Sequence, residues 1–207
     1  MKFLKSIAPL MAYITVAFGM FWAHSAWVAL LGFHAGLLLI LLIDKPRIPI
    51  SVLFNGLHFP TLIGCLLLCV SGGLTLFFAW PHLDISPHLS VDLAFIGLTS
   101  AAWPVFIAYF ALVNPWIEEY FWRGYLDNPS RLPAPVDFAF AGYHLLILYG
   151  KTSWTWMTIA FLVLAAVAWL WRRVSRKNNG LLIASLSHMA ADFSILTAVY
   201  LMSQVYQ

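Results

Sequence analysis

The chain has 207 residues, of which 62% are hydrophobic and only 9% are charged. A soluble globular domain carries about 25% charged residues, so this chain cannot cover a water-facing surface and must have lipid as its solvent. Its net charge of +3 does not indicate a nucleic-acid partner, because the basic residues lie in short stretches between apolar runs rather than on one face. The composition therefore predicts an all-α, polytopic membrane helix bundle.

Apolar runs long enough to cross a bilayer follow one another along the whole sequence. A transmembrane helix needs about 20 mostly apolar residues, and about seven runs approach that length. The predicted spans are Ile7–Ala23, Ser25–Ile43, Phe59–Trp80, Leu93–Val113, Val136–Tyr149, Trp154–Trp171 and Leu181–Met202. We find no internal repeat and no domain boundary, so residues 1–207 are expected to form a single integral membrane domain.

Two parts of this pattern allow more than one interpretation. The fifth predicted span, Val136–Tyr149, extends over roughly 21 Å at about 1.5 Å per residue, so it is tilted, re-entrant or longer than its apolar run. The segment Asn114–Leu126 is expected either to continue the fourth span past Pro115 or to lie shallowly at the membrane interface.

The basic residues predict the orientation of the chain in the membrane. With a cytoplasmic N-terminus, Lys151 alone among the 11 Lys and Arg residues falls outside. The others all fall on the cytoplasmic side, and they are Lys2, Lys5, Lys45, Arg47, Arg123, Arg131, Arg172, Arg173, Arg176 and Lys177. The opposite loop, Pro81–Val91, contains Asp84 and no basic residue, which agrees with this orientation.

Ionisable residues within the apolar segments are the candidates for function, because charge inside a membrane is costly. Most of the 8 acidic residues lie in loops or at span ends, where water solvates them. Glu118, Glu119 and Asp192 do not fit that explanation. In the second half of the chain, the histidines nearest to span interiors are His144 and His188. These five residues form the candidate site.

The first motif contains two adjacent glutamates. On a helix, Glu119 and Arg123 are spaced i, i+4 and can form an ion pair. Glu118 is rotated by about 100° from Glu119 and has Trp122 as its i+4 neighbour. The motif thus presents one neutralised carboxylate and one unpaired carboxylate beside an aromatic ring, which suits a general base. The structural alternative is an interfacial acidic pair with a salt bridge.

The second and third motifs each place a histidine one helical turn from a partner. Phe140 lies four residues before His144 and is expected to pack on the imidazole. Asp192 follows His188 by four residues, so it can orient His188, join it as a metal ligand or help to bind an oxyanion. Each histidine lies about 12 Å along its predicted span from the cytoplasmic side, at about 1.5 Å per residue. We therefore expect one cavity open toward the cytoplasm, with hydrogen-bonded structural histidines as the alternative.

The three motifs occur in the order and at the spacing of a known family. They are Glu118-Glu119-x-x-x-Arg123, Phe140-x-x-x-His144 and His188-x-x-x-Asp192. This set resembles the CAAX protease and bacteriocin-processing (CPBP) family, which includes the so-called Abi proteins and resembles the type II CAAX prenyl endopeptidases. The resemblance covers Leu93–Leu201. It implies an intramembrane endopeptidase of a prokaryotic cell membrane that acts on a membrane-associated protein or peptide.

The resemblance also implies roles for individual residues. Glu118 and His144 would activate a water that attacks a peptide carbonyl, while His188 and residue 192 would stabilise the oxyanion. The supporting residues are Glu119, Arg123 and Phe140. One departure concerns the last position, where such endopeptidases often have Asn, whose amide can donate to an oxyanion. Because ionised Asp192 only accepts hydrogen bonds, it is expected to orient His188, to be protonated or to ligate a metal.

Three other functions fit the same residues. A zinc-dependent protease is the nearest, since carboxylates and imidazoles are acceptable zinc ligands. We favour chemistry without a cofactor, because a carboxylate and a histidine can activate water without a metal. A non-catalytic immunity or scaffold protein would bind partners through the same pocket. A proton-coupled transporter would use the carboxylates and histidines as a relay, but its usual mark is internal repeats.

Overall fold

The computed structural model describes residues 2–205, and its regular secondary structure is entirely helical. Its α-helices are α1 (Lys2–Ile7), α2 (Pro9–Ala17), α3 (Ala26–Asp44), α4 (Phe59–Ala79), α5 (Leu89–Phe95), α6 (Trp103–Glu119), α7 (Pro135–Leu148), α8 (Trp154–Asn178) and α9 (Leu182–Val205). The π-helical turns Phe18–Trp22 and Tyr120–Tyr125 continue α2 and α6, and Ile50–Phe54 and Trp80–His82 are 3₁₀ turns. Within residues 2–205 no β-strand occurs, which confirms the predicted all-α class.

Five helices are long and apolar enough to cross a membrane. They are Leu4–Trp22, Ala26–Asp44, Phe59–His82, Trp154–Asn178 and Leu182–Val205. These helices correspond to the first, second, third, sixth and seventh predicted spans, so the chain is a multi-pass membrane bundle. The fifth predicted span corresponds to α7, which has 14 residues and is too short for the same criterion.

The first half of the fourth predicted span, Leu93–Val113, is wrong. Helix α5 ends at Phe95, the chain turns, and α6 begins only at Trp103. Gly97 has a φ of 88°, in the left-handed region that commonly ends a helix. Pro104 lies in the first turn of α6, where its missing N–H leaves no intrahelical bond unmade. The apolar run concealed this break because hydropathy does not register backbone turns.

The burial pattern is the inverse of that of a soluble protein. Large apolar side chains face outward along the spans, as shown by Leu42 at 70% exposure and Phe78 at 75%. Charged side chains such as Glu119, Asp137 and Arg172 are buried inside the bundle. Lipid solvates the outer apolar surface at no cost, whereas a charge in lipid is expensive, so the ionisable groups collect where other protein groups can pair with them.

Helix α9 packs against α4, α6 and α8. Its crossing with α4 depends on Gly73, where a Cβ would lie 2.5 Å from the backbone carbon of Ser194. The start of α9 is held by backbone hydrogen bonds from Leu181 to Val52, at 2.9 Å, and from Leu182 to Asn55, at 3.1 Å. These contacts fix the position of the helix that carries the third motif.

A buried arginine on α8 holds the loop that joins the first motif to the second. The guanidinium of Arg172 forms two hydrogen bonds with Asp137, at 2.9 and 2.7 Å. It also donates to the backbone carbonyls of Asn128, Ser130 and Leu132, at 2.9, 2.6 and 2.9 Å. These bonds use all the donor directions of the planar guanidinium, so one side chain sets the path from α6 to α7.

Candidate active site

The two glutamates of the first motif lie near the end of the long helix that α6 forms with its π turn. This helix continues past Pro115 to Tyr125, which is the first of the two alternatives expected for Asn114–Leu126. Pro115 lacks the N–H of a regular helical residue, and π turns within helices are frequent at functional sites. Glu118 and Glu119 immediately precede this turn and point into the bundle, where both are buried.

Glu119 joins the first motif to the third. Its Oε1 accepts a hydrogen bond from Arg123 Nη1 at 3.0 Å, which confirms the predicted i, i+4 ion pair. The same oxygen lies 2.9 Å from His188 Nδ1 on α9. Because a carboxylate only accepts, the Nδ1 of His188 must carry the proton. Glu119 therefore fixes the orientation of His188 as well as neutralising Arg123.

Aromatic rings enclose this pair. The guanidinium carbon of Arg123 lies 4.1 Å from the ring centre of Phe140 and 5.1 Å from that of Trp171. The imidazole of His188 stacks on Trp171, with ring centres 4.4 Å apart and an interplanar angle of 28°. The guanidinium of Arg123 is buried and has one carboxylate partner. Its cation–π contacts with these two rings stabilise the buried charge further.

Glu118 has one held oxygen and one free oxygen. Its Oε1 accepts a hydrogen bond of 2.5 Å from the hydroxyl of Tyr143, a residue that sequence reasoning missed. Its Oε2 is buried and has no hydrogen-bond partner within residues 2–205. The nearest basic atom to that oxygen is His188 Nε2, at 3.8 Å. Oε2 of Glu119 is likewise buried without a partner, but the Glu119 carboxylate is paired with Arg123, so Glu118 is the carboxylate better suited to accept the proton of a bound water.

The free ring nitrogen of His188 lies between two carboxylates. Its Nε2 is 3.4 Å from Asp192 Oδ1 and 3.8 Å from Glu118 Oε2. Both distances exceed the usual length of an N–H···O hydrogen bond, about 2.9–3.0 Å. A group placed between them could therefore receive a hydrogen bond from Nε2 while Nδ1 keeps the ring in place.

His144 lies beside the cluster, on the same helix as Tyr143. Its Nδ1 is 2.9 Å from the backbone carbonyl of Phe140, which can only accept, so the neutral ring carries its proton on Nδ1 and a lone pair on Nε2. The predicted packing of Phe140 on the imidazole is confirmed, at 5.0 Å between ring centres. His144 also stacks on Tyr143, at 4.1 Å and 28°. Its link to the cluster in this structure thus runs through these two aromatic side chains.

Asp192 connects the site to a polar chain that sequence reasoning missed. Its Oδ2 accepts a hydrogen bond from Asn114 Nδ2 at 3.3 Å, and Asn114 Oδ1 lies 3.0 Å from Nε2 of the buried His34. Asn114 precedes Glu118 by one helical turn, and this spacing was the available signal for it. His34 was passed over because the resemblance does not extend to the first ninety residues.

The structure brings the predicted residues of all three motifs together but does not place them around an open cavity. Glu118 and His188 are almost fully buried, and Asp192 and His144 are partly buried, with 14% exposure for the side chain of Asp192. Two cavities, of about 230 and 380 Å³, lie elsewhere: one near Lys151 and the other between α4 and α9. The expected opening toward the cytoplasm is therefore not a property of this conformation, in which aromatic packing closes the site.

We searched the same cluster for a metal site. Within residues 2–205, no three His, Cys, Asp or Glu side chains are arranged to hold a metal ion. The zinc-dependent alternative is tested below with a chelator.

Comparison with protein-family models, with curated proteins and with solved structures finds no match to this chain.

Proposed function

We propose that this chain is an intramembrane endopeptidase that hydrolyses a peptide bond with a water activated by Glu118 and His144. The observation that carries the proposal is the state of the Glu118 carboxylate, whose Oε1 is held by Tyr143 and whose Oε2 is buried and unpartnered. An oriented carboxylate with one free oxygen is what a general base requires. The first and third motifs, which resemble those of CPBP proteases, meet at this oxygen, since Nε2 of His188 lies 3.8 Å from it.

The proposed reaction uses the free atoms of the cluster. Glu118 Oε2 accepts a proton as the water oxygen bonds to the peptide carbonyl carbon, and the Nε2 lone pair of His144 accepts the hydrogen bond of the second water proton. The carbonyl oxygen becomes an oxyanion. His188, which lies among the carboxylates of Glu118, Glu119 and Asp192, acts as the imidazolium, so its Nδ1–H stays on Glu119 while its Nε2–H stabilises the oxyanion. When the C–N bond breaks, the proton on Glu118 passes to the leaving amine, and a new carboxyl and a new amine are released.

The supporting residues keep these atoms in place. Glu119 and Trp171 fix the His188 ring through a hydrogen bond and a stacking contact, so its Nε2 points into the gap beside Glu118. Arg123 balances the charge of Glu119. Asp192 lies 3.4 Å from Nε2 and only accepts, so its proposed role is to orient His188 rather than to donate to the oxyanion.

The substrate class follows from where the site lies. The cluster is enclosed by apolar helices whose outer faces are solvated by lipid, so a substrate must reach it from within or beside the membrane. We propose a membrane-associated protein or peptide, cut in an exposed loop or terminal tail. Because the site is closed in this conformation, we propose that binding requires an opening movement near its partly exposed residues, Asp192 and His144.

The closed packing is also the observation that favours the second candidate function. A non-catalytic membrane protein, such as an immunity or scaffold protein, could keep the same residues as a satisfied polar core. It would need no opening and no turnover. In that case the unpartnered oxygen of Glu118 would not take part in any reaction.

Proteolysis by the purified protein separates these candidates. Detergent-purified protein is incubated with a peptide library, with and without a chelator, and Glu118→Gln is treated in parallel. The metal-free protease predicts cleavage that the chelator does not change and that Glu118→Gln loses. Cleavage abolished by the chelator and restored by Zn²⁺ would establish the zinc-dependent alternative, while absence of cleavage across the library and in membrane-protein substrates would favour the non-catalytic one.

A further inference from the structure

A chain of hydrogen-bonded polar side chains ends at Asp192, and its other three members, Tyr109, His34 and Asn114, have no part in the reaction outlined above. It runs from Tyr109 on α6 to His34 on α3, back to Asn114 on α6, and on to Asp192 on α9. The three distances are 3.2, 3.0 and 3.3 Å in that order. His34 and Asn114 are both buried, although a buried polar group between apolar helices is costly unless it is hydrogen-bonded. The chain therefore links a helix outside the three motifs to the site.

The direction of every hydrogen bond in this chain follows from its last member. A carboxylate only accepts, so Asn114 must present its amide N–H to Asp192 and its Oδ1 to His34. The amide oxygen accepts, so Nε2 of His34 carries the proton. In the neutral ring, Nδ1 of His34 is then an acceptor, and the hydroxyl of Tyr109 donates to it. The four residues thus form a chain of donors that points one way and ends at the carboxylate.

We propose that His34 and Asn114 are positioning residues that hold Asp192 with Oδ2 toward α6 and Oδ1 toward His188 Nε2. Asp192 faces two N–H groups: the amide of Asn114 donates to its Oδ2 at 3.3 Å, and Nε2 of His188 lies 3.4 Å from its Oδ1, so an acceptor is needed on both sides. An asparagine at position 192 has one acceptor and one donor face, so it cannot satisfy both neighbours while Asn114 stays in place.

This interpretation makes a specific prediction for exchanging the two side chains. In Asn114→Asp two carboxylates face each other, and in Asp192→Asn an amide N–H meets the N–H of either Asn114 or His188. In the double variant Asn114→Asp/Asp192→Asn, position 114 accepts from His34 and from the new amide, and the amide oxygen at 192 accepts from His188. Every hydrogen bond of the wild-type chain then has an equivalent. Each single change should lower kcat by about 10²-fold through misplacement of His188, with little change in KM, and the exchange should recover most of that loss.

Variants of His34 test the chain away from Asp192, without changing any residue that takes part in the proposed reaction. The amide nitrogen of glutamine can occupy the place of a histidine Nε2, so His34→Gln keeps the donor to Asn114, whereas His34→Phe removes it. We expect His34→Phe to lower kcat without changing KM, and His34→Gln to retain much of the wild-type rate. A residue that only filled space would give the reverse order, because Phe fills more of the apolar volume than Gln.

The measurements of kcat rest on the proposed function, so thermal melts of the same purified variants provide a second, independent readout. The exchange should recover the melting temperature lost in both single variants, and this result is expected even if no peptide is cleaved. An exchanged protein no more stable and no more active than the two single variants would overturn the proposal, as would equal damage from His34→Gln and His34→Phe. Cleavage that survives Glu118→Gln, combined with recovery in the exchanged protein, would instead refute the assigned base and leave the positioning chain standing.

Discussion

Replacement of Arg172 tests whether one side chain holds the loop between α6 and α7. In Arg172→Ala the carboxylate of Asp137, which is 2% exposed, loses its only ion-pair partner among the described residues. Breaking a buried ion pair from one side costs about 3–5 kcal/mol, since the remaining charge stays buried. The three loop carbonyls lose their charged donor as well. Against a typical folding free energy of about 5–15 kcal/mol, this loss removes a large part of the stability.

The adjacent residue provides a matched control. Arg173 is exposed and makes one hydrogen bond, of 2.7 Å, to the carbonyl of Arg131. Arg173→Ala should therefore change the free energy of unfolding by no more than about 0.5 kcal/mol. Arg172→Lys should fall between the two alanine variants, because it keeps the charge but not the planar fork of donors. Unfolding in detergent, followed by circular dichroism, measures the stability of all three variants. Equal stability of Arg172→Ala and Arg173→Ala would refute the proposal that Arg172 holds the loop between α6 and α7.

Three further predictions concern packing, the buried ion pair and topology. Gly73→Ala should destabilise the protein, because the added Cβ would lie 2.5 Å from the backbone of α9. Gly72 faces open space, so Gly72→Ala should not, and thermal melts of the two variants compare their stability. Arg123→Met should lower stability, by no more than the about 3–5 kcal/mol of a broken buried ion pair, because the buried carboxylate of Glu119 then keeps only Nδ1 of His188 as a partner, and a melt equal to that of wild type would contradict this. Reporter fusions at Pro46 and Ser86 should report opposite sides of the membrane, with Pro46 cytoplasmic, and finding both on one side would disprove the predicted topology.

The sequence predicted the fold class because composition and apolar run length depend only weakly on context. A run such as Ser25–Ile43 is too apolar for any other solvent than lipid, and the structure has a helix there at Ala26–Asp44. The break between α5 and α6 was missed, because it depends on the backbone conformation of Gly97 rather than on hydropathy. The shortness of α7, by contrast, was visible in the length of its apolar run.

The site was predicted as far as its residues lie in spaced motifs. The i, i+4 rule found the ion pair of Glu119 with Arg123, since both partners are on one helix. It could not find the contact of Tyr143 with Glu118 or that of His34 with Asn114, which join different helices far apart in sequence. Such pairs depend on how the helices cross, and that information is not in any local spacing.

The enclosure of the site was also beyond local reasoning. Equal depth of the histidines along their spans led us to expect an open cavity, but the side chains of Phe140, Tyr143 and Trp171 fill the space around the imidazoles. Packing of aromatic rings between helices depends on their rotation, which residue spacing does not specify.

The most direct test of the account compares the two adjacent glutamates. Peptide cleavage and thermal melts are measured on purified Glu118→Gln and Glu119→Gln. Glu118→Gln removes the base but keeps the shape of the side chain, so it should lower the rate by about 10²–10⁴-fold with a nearly unchanged melting temperature. Glu119→Gln removes the charge that neutralises Arg123 and holds His188, so stability should fall first. If Glu118→Gln keeps full activity while Glu119→Gln is well folded and inactive, the base has been assigned to the wrong glutamate.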